Sequence, residues 1–225
     1  SHLKMAAAYE DGFYDDLVIE FCGLTRDNNM RGDSSMEKLG KLKPAFDRKS
    51  GQGTLTAGNS TPLTDGASAV LLASEDWAKE RGLPIQAYLT FGKVAAVDFV
   101  HDEGLLMAPA YAVPKMLDDA KLTLQDFDFY EIHEAFAAQV LCTLKAWESD
   151  TWCRERLGRD ALGSIDRAKL NVKGSSLAAG HPFAATGTRV LANAAKLLAE
   201  KGSGRALISI CTAGGMGVTA IVEAA

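Results

Sequence analysis

Residues 174–189 read Gly174-Ser175-Ser176-Leu177-Ala178-Ala179-Gly180-His181-Pro182-Phe183-Ala184-Ala185-Thr186-Gly187-Thr188-Arg189. They form a small-residue approach, a Gly-His-Pro corner and the opening of a helix. Proline suits the first helical position, where a missing N–H costs nothing. Apolar residues follow at Val190, Leu191, Ala194, Ala195 and Leu198 with helical spacing. The pattern predicts a helix from Pro182 and puts His181 at its N-terminus, where the positive dipole end disfavours an imidazolium. A neutral imidazole can take a proton or donate a hydrogen bond. Plain helix capping is the alternative, but capping calls for Ser, Thr, Asp or Asn.

Two other stretches share the arrangement. Asp128-Phe129-Tyr130-Glu131-Ile132 reads as a short buried strand running into His133-Glu134-Ala135-Phe136-Ala137, which opens a helix. Ala206 to Cys211 reads as a strand running into Thr212-Ala213-Gly214-Gly215-Met216-Gly217. Two histidines and a cysteine thus stand at strand ends, where open α/β sheets place their ligand sites. Cys211 as a buried small hydrophobe is the plainer reading. The glycines after it offer backbone N–H groups to a thiolate and favour a reactive role.

Of 225 residues, 47% are hydrophobic and 24% charged, as in an ordinary globular chain. The formal charge of −5 argues against a nucleic-acid surface. An anionic ligand would need a local basic patch instead. Cys22, Cys142, Cys153 and Cys211 form no C-x-x-C pair, and the four histidines are not at metal-ligand spacing. No metal site is expected, and a reduced, intracellular protein is. No apolar run reaches the ~18 residues of a membrane span, and no signal peptide is visible.

Along the chain, helices are expected at residues 1–12, from a capping box at Ser34-Ser35-Met36-Glu37 through Leu42, at Glu75–Arg81 with Gly82 as its stop, and at Pro109–Ala120. Asp16–Phe21 and Val218–Val222 read as strands, Ile85–Val97 as strand-rich, and Ala67–Ser74 as a helix end or buried strand. Glu134–Trp147 reads as a helix with Phe136, Val140, Leu141 and Leu144 on one face; His101 reads as a solvated histidine. The fold class is α/β.

Four blocks in order, TAGNSTPLTDGA (56–67), HEAFA (133–137), GHPFAATG (180–187) and CTAGGMG (211–217), resemble those of the thiolases. The likeness spans essentially the whole chain and is nearest to the β-subunit type of fatty-acid-oxidation trifunctional complexes. It implies a thiolase-like fold, helices layered around a mixed sheet, with residues 1–65 as part of the CoA-covering loop domain and 66–225 as the C-terminal domain. The family's N-terminal nucleophile domain is absent from this sequence, so the chain alone is expected to be inactive. The implied reaction is thiolytic cleavage of a 3-oxoacyl-CoA in β-oxidation, or the reverse Claisen condensation. By resemblance, His181 activates the nucleophile and Cys211 moves the proton of the acetyl α-carbon. His133 helps an oxyanion hole where short thiolases use asparagine. The N–H of Ala213, a position where many thiolases have glycine, helps the second hole.

Alignment with the family places Arg31 near the CoA adenine and phosphates, although a solvated surface arginine fits equally. It places Ala57, Thr61 and Leu63 along the pantetheine tunnel, although a turn also accounts for them. Ala135 and Phe136 lie toward substrate, with a core aromatic as the default for Phe136. The charged segment Glu148–Lys169 resembles an insertion of the trifunctional type, and Trp152 within it is a candidate partner anchor; a solvated helix is the alternative. Coenzyme A enters as substrate, with no cofactor. The implied partners are the N-terminal thiolase half, a homodimer or tetramer and a hydratase/dehydrogenase α-subunit. The implied location is cytoplasmic, or the mitochondrial matrix in a eukaryote. A related condensing enzyme of the same fold, or a non-catalytic CoA-binding or scaffold subunit, remains as an alternative.

Overall fold

A computed structural model describes all residues from Ser1 to Ala225. The strands are β1 (Ala87–Ala96), β2 (Phe129–Ile132), β3 (Arg205–Thr212) and β4 (Met216–Ala224). The helices are α1 (His2–Glu10), α2 (Met36–Gly40), α3 (Glu75–Glu80), α4 (Ala108–Ala120), α5 (Ala137–Glu148), α6 (Asp150–Trp152), α7 (Ser176–Ala179) and α8 (Thr186–Lys201). The strands form one mixed sheet in the order β1-β4-β3-β2. β2 runs parallel to β3, while β4 is antiparallel to both β3 and β1.

Period-two alternation decides which side chains face which helix layer. Leu207 and Ile221 point to one face, where they join Val113, Met116 and Leu117 of α4 and Val140, Leu144 and Trp147 of α5. Ala206, Ile208 and Val222 point to the other, packing on Val190, Ala194 and Leu198 of α8. A sheet covered on both faces is the α/β layering expected from the sequence. Within α5 the buried stripe runs Val140, Leu144, Trp147, and Leu141 is exposed, because one residue turns it about 100° away.

Three expected elements differ. Asp16–Phe21 is not a strand: the chain turns at residues 11–17 and makes only the bridge Phe21↔Leu24, so nothing pairs with it. Ala67–Ser74 is neither helix end nor buried strand, but an irregular, mostly exposed run without a neighbouring strand. The short helix begins after Ser35, whose hydroxyl accepts the N–H of Lys38, and stops at Gly40.

The segment after α5 folds back onto its own chain. Trp152 packs edge-on against Tyr111 at 5.3 Å, and Arg156 and Arg159 bind Asp102 and Asp118, each at 2.7 Å. Trp152 is thus half-buried against its own subunit. The exposed ion pairs add little stability.

Candidate active site

Parallel pairing of β2 with β3 sets the site. In their register Ile132 stands opposite Ser209. The chain therefore leaves both strands at the same sheet edge, with His133 following one and Cys211 near the end of the other. The His133 N–H donates to Ser209 O at 2.9 Å, and His133 and Cys211 line one cavity together with Ser209, Gln139 and Thr143. Both are buried.

His181 reaches the same edge from a different direction. It lies outside the helix: Ala184 has φ +66°, Pro182–Ala185 form a turn, and α8 begins only at Thr186. A left-handed residue cannot continue an α-helix, which is why Pro182 does not open one. The approach to His181 needs glycine, because Gly180 has φ +91° and a Cβ there would collide with Thr64 Cγ2. The His181 N–H donates to Pro62 O at 3.0 Å, and Leu63 bridges to His181 in parallel. The two imidazoles stack with centroids 4.3 Å apart and planes at 39°.

Each ring is held through Nδ1 by a hydroxyl at 2.7 Å, His133 by Ser176 and His181 by Thr186. Burial pushes the His133 pKa down to about 3, helped by His181 and Arg189. Burial, then the Arg189 charge, also lowers that of His181. Both rings are neutral, for reasons other than a helix dipole. The thiol of Cys211 is pushed up to about 11 by burial, against the pull of its own N–H and that of Ala135. Those N–H groups differ from the glycine-turn donors expected to stabilise a thiolate, and burial outweighs them. The group stands as a neutral thiol.

A family model described as "Thiolase, C-terminal domain" matches residues 83–224, and one described as "Thiolase, N-terminal domain" matches residues 1–76. The chain belongs to the thiolase family. It is 46% identical over 230 residues to a 3-ketoacyl-CoA thiolase of Yersinia enterocolitica, covering 99% of this chain and 52% of that protein. The crystal structure of the Bacillus anthracis acetyl-CoA acetyltransferase is 35% identical with a TM-score of 0.81, covering all of this chain and 54% of that one. Human mitochondrial 3-ketoacyl-CoA thiolase in complex with CoA gives 31% and 0.82, with coverage of 100% and 52%. The chain spans about half the length of the curated relatives it matches. No helix is long and apolar enough to cross a membrane.

The remaining thiolase positions divide into two groups. The Thr61 N–H donates to Ala135 O at 3.0 Å, Thr61 Oγ1 also bonds Glu134 O, and Ala137 N–H donates to Asn59 O at 2.9 Å. Thr61, Leu63 and Ala135 thus knit both histidine corners together. Phe136 is half-buried and packs edge-on to Phe46 at 5.7 Å. Ala213 is exposed, and no turn or loop hydrogen bond uses its N–H. Arg31 and Ala57 are exposed without contact to this cluster; Arg31 Nη1 reaches only Asn28 O at 3.4 Å.

Sequence reading missed the residues behind the histidines: Ser176, Thr186, Arg189 and the wholly buried Glu131. All lie in or beside the quoted blocks. Glu131, a carboxylate inside an otherwise apolar strand, was the signal that could have led to them.

Proposed function

We propose that this chain supplies the acid/base and oxyanion half of a thiolase that cleaves 3-oxoacyl-CoA with CoA, giving acetyl-CoA and a shortened acyl-CoA in fatty-acid β-oxidation. The observation that carries this reading is the neutral, stacked histidine pair beside a neutral buried thiol. The thiolase resemblance puts the nucleophilic cysteine outside this sequence, in the N-terminal half. Thr186 Oγ1 is oriented toward Pro182 O at 3.5 Å, so the Nδ1–H of His181 donates to Thr186 and Nε2 is left with a lone pair. That lone pair takes the proton from the attacking thiol.

The thiolate adds to the 3-oxo carbon and the Cα–Cβ bond breaks, its electrons passing to the acetyl-CoA enolate. The Cys211 thiol, held neutral by burial, then protonates the α-carbon and is left as a thiolate. His133 and the N–H of Ala213 serve the two oxyanions. CoA then releases the acyl group, its thiol proton passing to the Cys211 thiolate, while His181 returns its proton to the freed nucleophile. Arg31, Ala57, Thr61, Leu63, Ala135 and Phe136 would hold CoA and acyl chain, with residues 1–65 as cover and 66–225 as the C-terminal domain. CoA acts as substrate and no cofactor takes part. A homodimer or tetramer, a hydratase/dehydrogenase partner and a cytoplasmic or matrix location complete the reading.

Loss of the 3-oxoacyl-CoA enolate absorbance tests it. The full-length protein is expected to turn over and the 225-residue chain alone is not. Inert full-length protein that still binds CoA would replace the proposal with a scaffold subunit.

A further inference from the structure

The two site hydroxyls differ in one respect. Thr186 has a carbonyl within reach to take its proton. Ser176 Oγ, fully buried, has two neighbours only: Arg189 Nη2 at 3.0 Å and His133 Nδ1 at 2.7 Å. A guanidinium donates and never accepts. The single proton of Ser176 therefore has one destination, His133 Nδ1. A proton on Nδ1 would give the serine oxygen two donors and leave its own hydrogen buried and unpaired, a costly arrangement.

We propose that Arg189 is a positioning residue that, through Ser176, holds His133 as the Nε2–H tautomer and so makes it a hydrogen-bond donor; this rests on the thiolase reading only for what the donor serves. Arg189 is itself confined. Its Nε and Nη1 atoms are buried without partners, as are both carboxyl oxygens of Glu131, two residues before His133. Arg189 is the strongest opposite charge acting on Glu131. Burial raises the Glu131 pKa to about 8, and its carboxyl makes no hydrogen bond that competes for Ser176.

The test uses full-length protein labelled with 15N at histidine. Two-bond 15N–1H correlations are expected to show His133 protonated on Nε2 in wild type. In Arg189→Gln and in Ser176→Ala, Nδ1–H should become populated, while Ser176→Thr should retain the wild-type pattern. Exchange of the acetyl-CoA α-proton should fall about 100-fold in Ser176→Ala, the scale of one oxyanion donor, with KM changed less than threefold. A wild-type His133 protonated on Nδ1, or an unchanged Nε2–H in both disruptive variants, overturns the proposal. Should Arg189→Gln not fold, Ser176→Ala with Ser176→Thr decides alone. A tautomer shift in a protein without thiolase activity would keep this proposal and remove the function proposed above.

Discussion

The His133 corner and the His181 corner reach the same point by different means. His133 follows a regular buried strand, is 2% exposed and sits under a serine tied to an arginine. His181 follows a left-handed glycine and a loop bridge, is half-buried, and bonds a threonine whose proton goes to a carbonyl. On the proposal above, identical side chains acquire opposite protonated nitrogens because their hydroxyl partners are themselves bonded differently, Ser176 to Arg189 and Thr186 to Pro182 O. The buried, strand-end ring becomes the fixed donor, and the looser one is left with the free lone pair that a base needs.

Removing the base should break the comparison most severely. His181→Ala is expected to slow acyl-enzyme formation about 1,000-fold, within the usual range for a positioned acid/base, while His133 keeps its tautomer. Acyl-enzyme mass against time measures this. Acylation at the wild-type rate would mean the two corners do not divide the work.

Cys211→Ser comes next. It should preserve acylation and slow the carbon–carbon step roughly 100-fold, read as α-proton exchange of acetyl-CoA in deuterated water. Because burial holds the thiol up to about 11, Cys211 should resist iodoacetamide at pH 8 and react only as the pH approaches that value. Prompt alkylation at pH 7 would show the thiolate that burial is argued to forbid.

The smallest effect concerns stability. His133 is depressed from 6.5 to about 3, so its contribution is complete above pH 6.5 and is lost as pH falls toward 3. Glu131 is raised from 4.5 to about 8 by burial, so its contribution is complete below pH 4.5 and is lost as pH rises through 8. Tm should therefore fall on both sides of a maximum between about pH 4.5 and 6.5. His133→Asn should flatten the acid limb and Glu131→Gln the alkaline one. Circular dichroism melts across pH 4–9 sort the two, and parallel curves for wild type and Glu131→Gln would remove Glu131 from the account.

The three site side chains and the layered sheet were legible because each follows a hydrophobic run with a clear period. Ala206–Cys211 could be read as a buried strand from its own residues, and strand ends are where such folds place chemistry. The start of α8 was not legible, since Pro182 fits an N1 position and only the left-handed Ala184 forbids it. Asp16–Phe21 has strand composition, but composition cannot say whether a partner strand exists. Ser176 and Thr186 look alike in sequence. Their different roles depend on Arg189 Nη2 and Pro182 O, neighbours that only the fold supplies.

The knit between residues 59–63 and the two histidine corners bears on protein engineering. Asn59, Thr61 and Pro62 lie within the segment matched by the N-terminal family model, while their partners Ala137, Ala135 and His181 lie within the C-terminal one. A cassette of residues 83–224 moved between thiolases would carry His133, His181 and Cys211 but not the residue 59–62 struts that join their corners. A chimera built at that junction inherits its host's histidine spacing, and grafts meant to exchange substrate preference should extend back to residue 59.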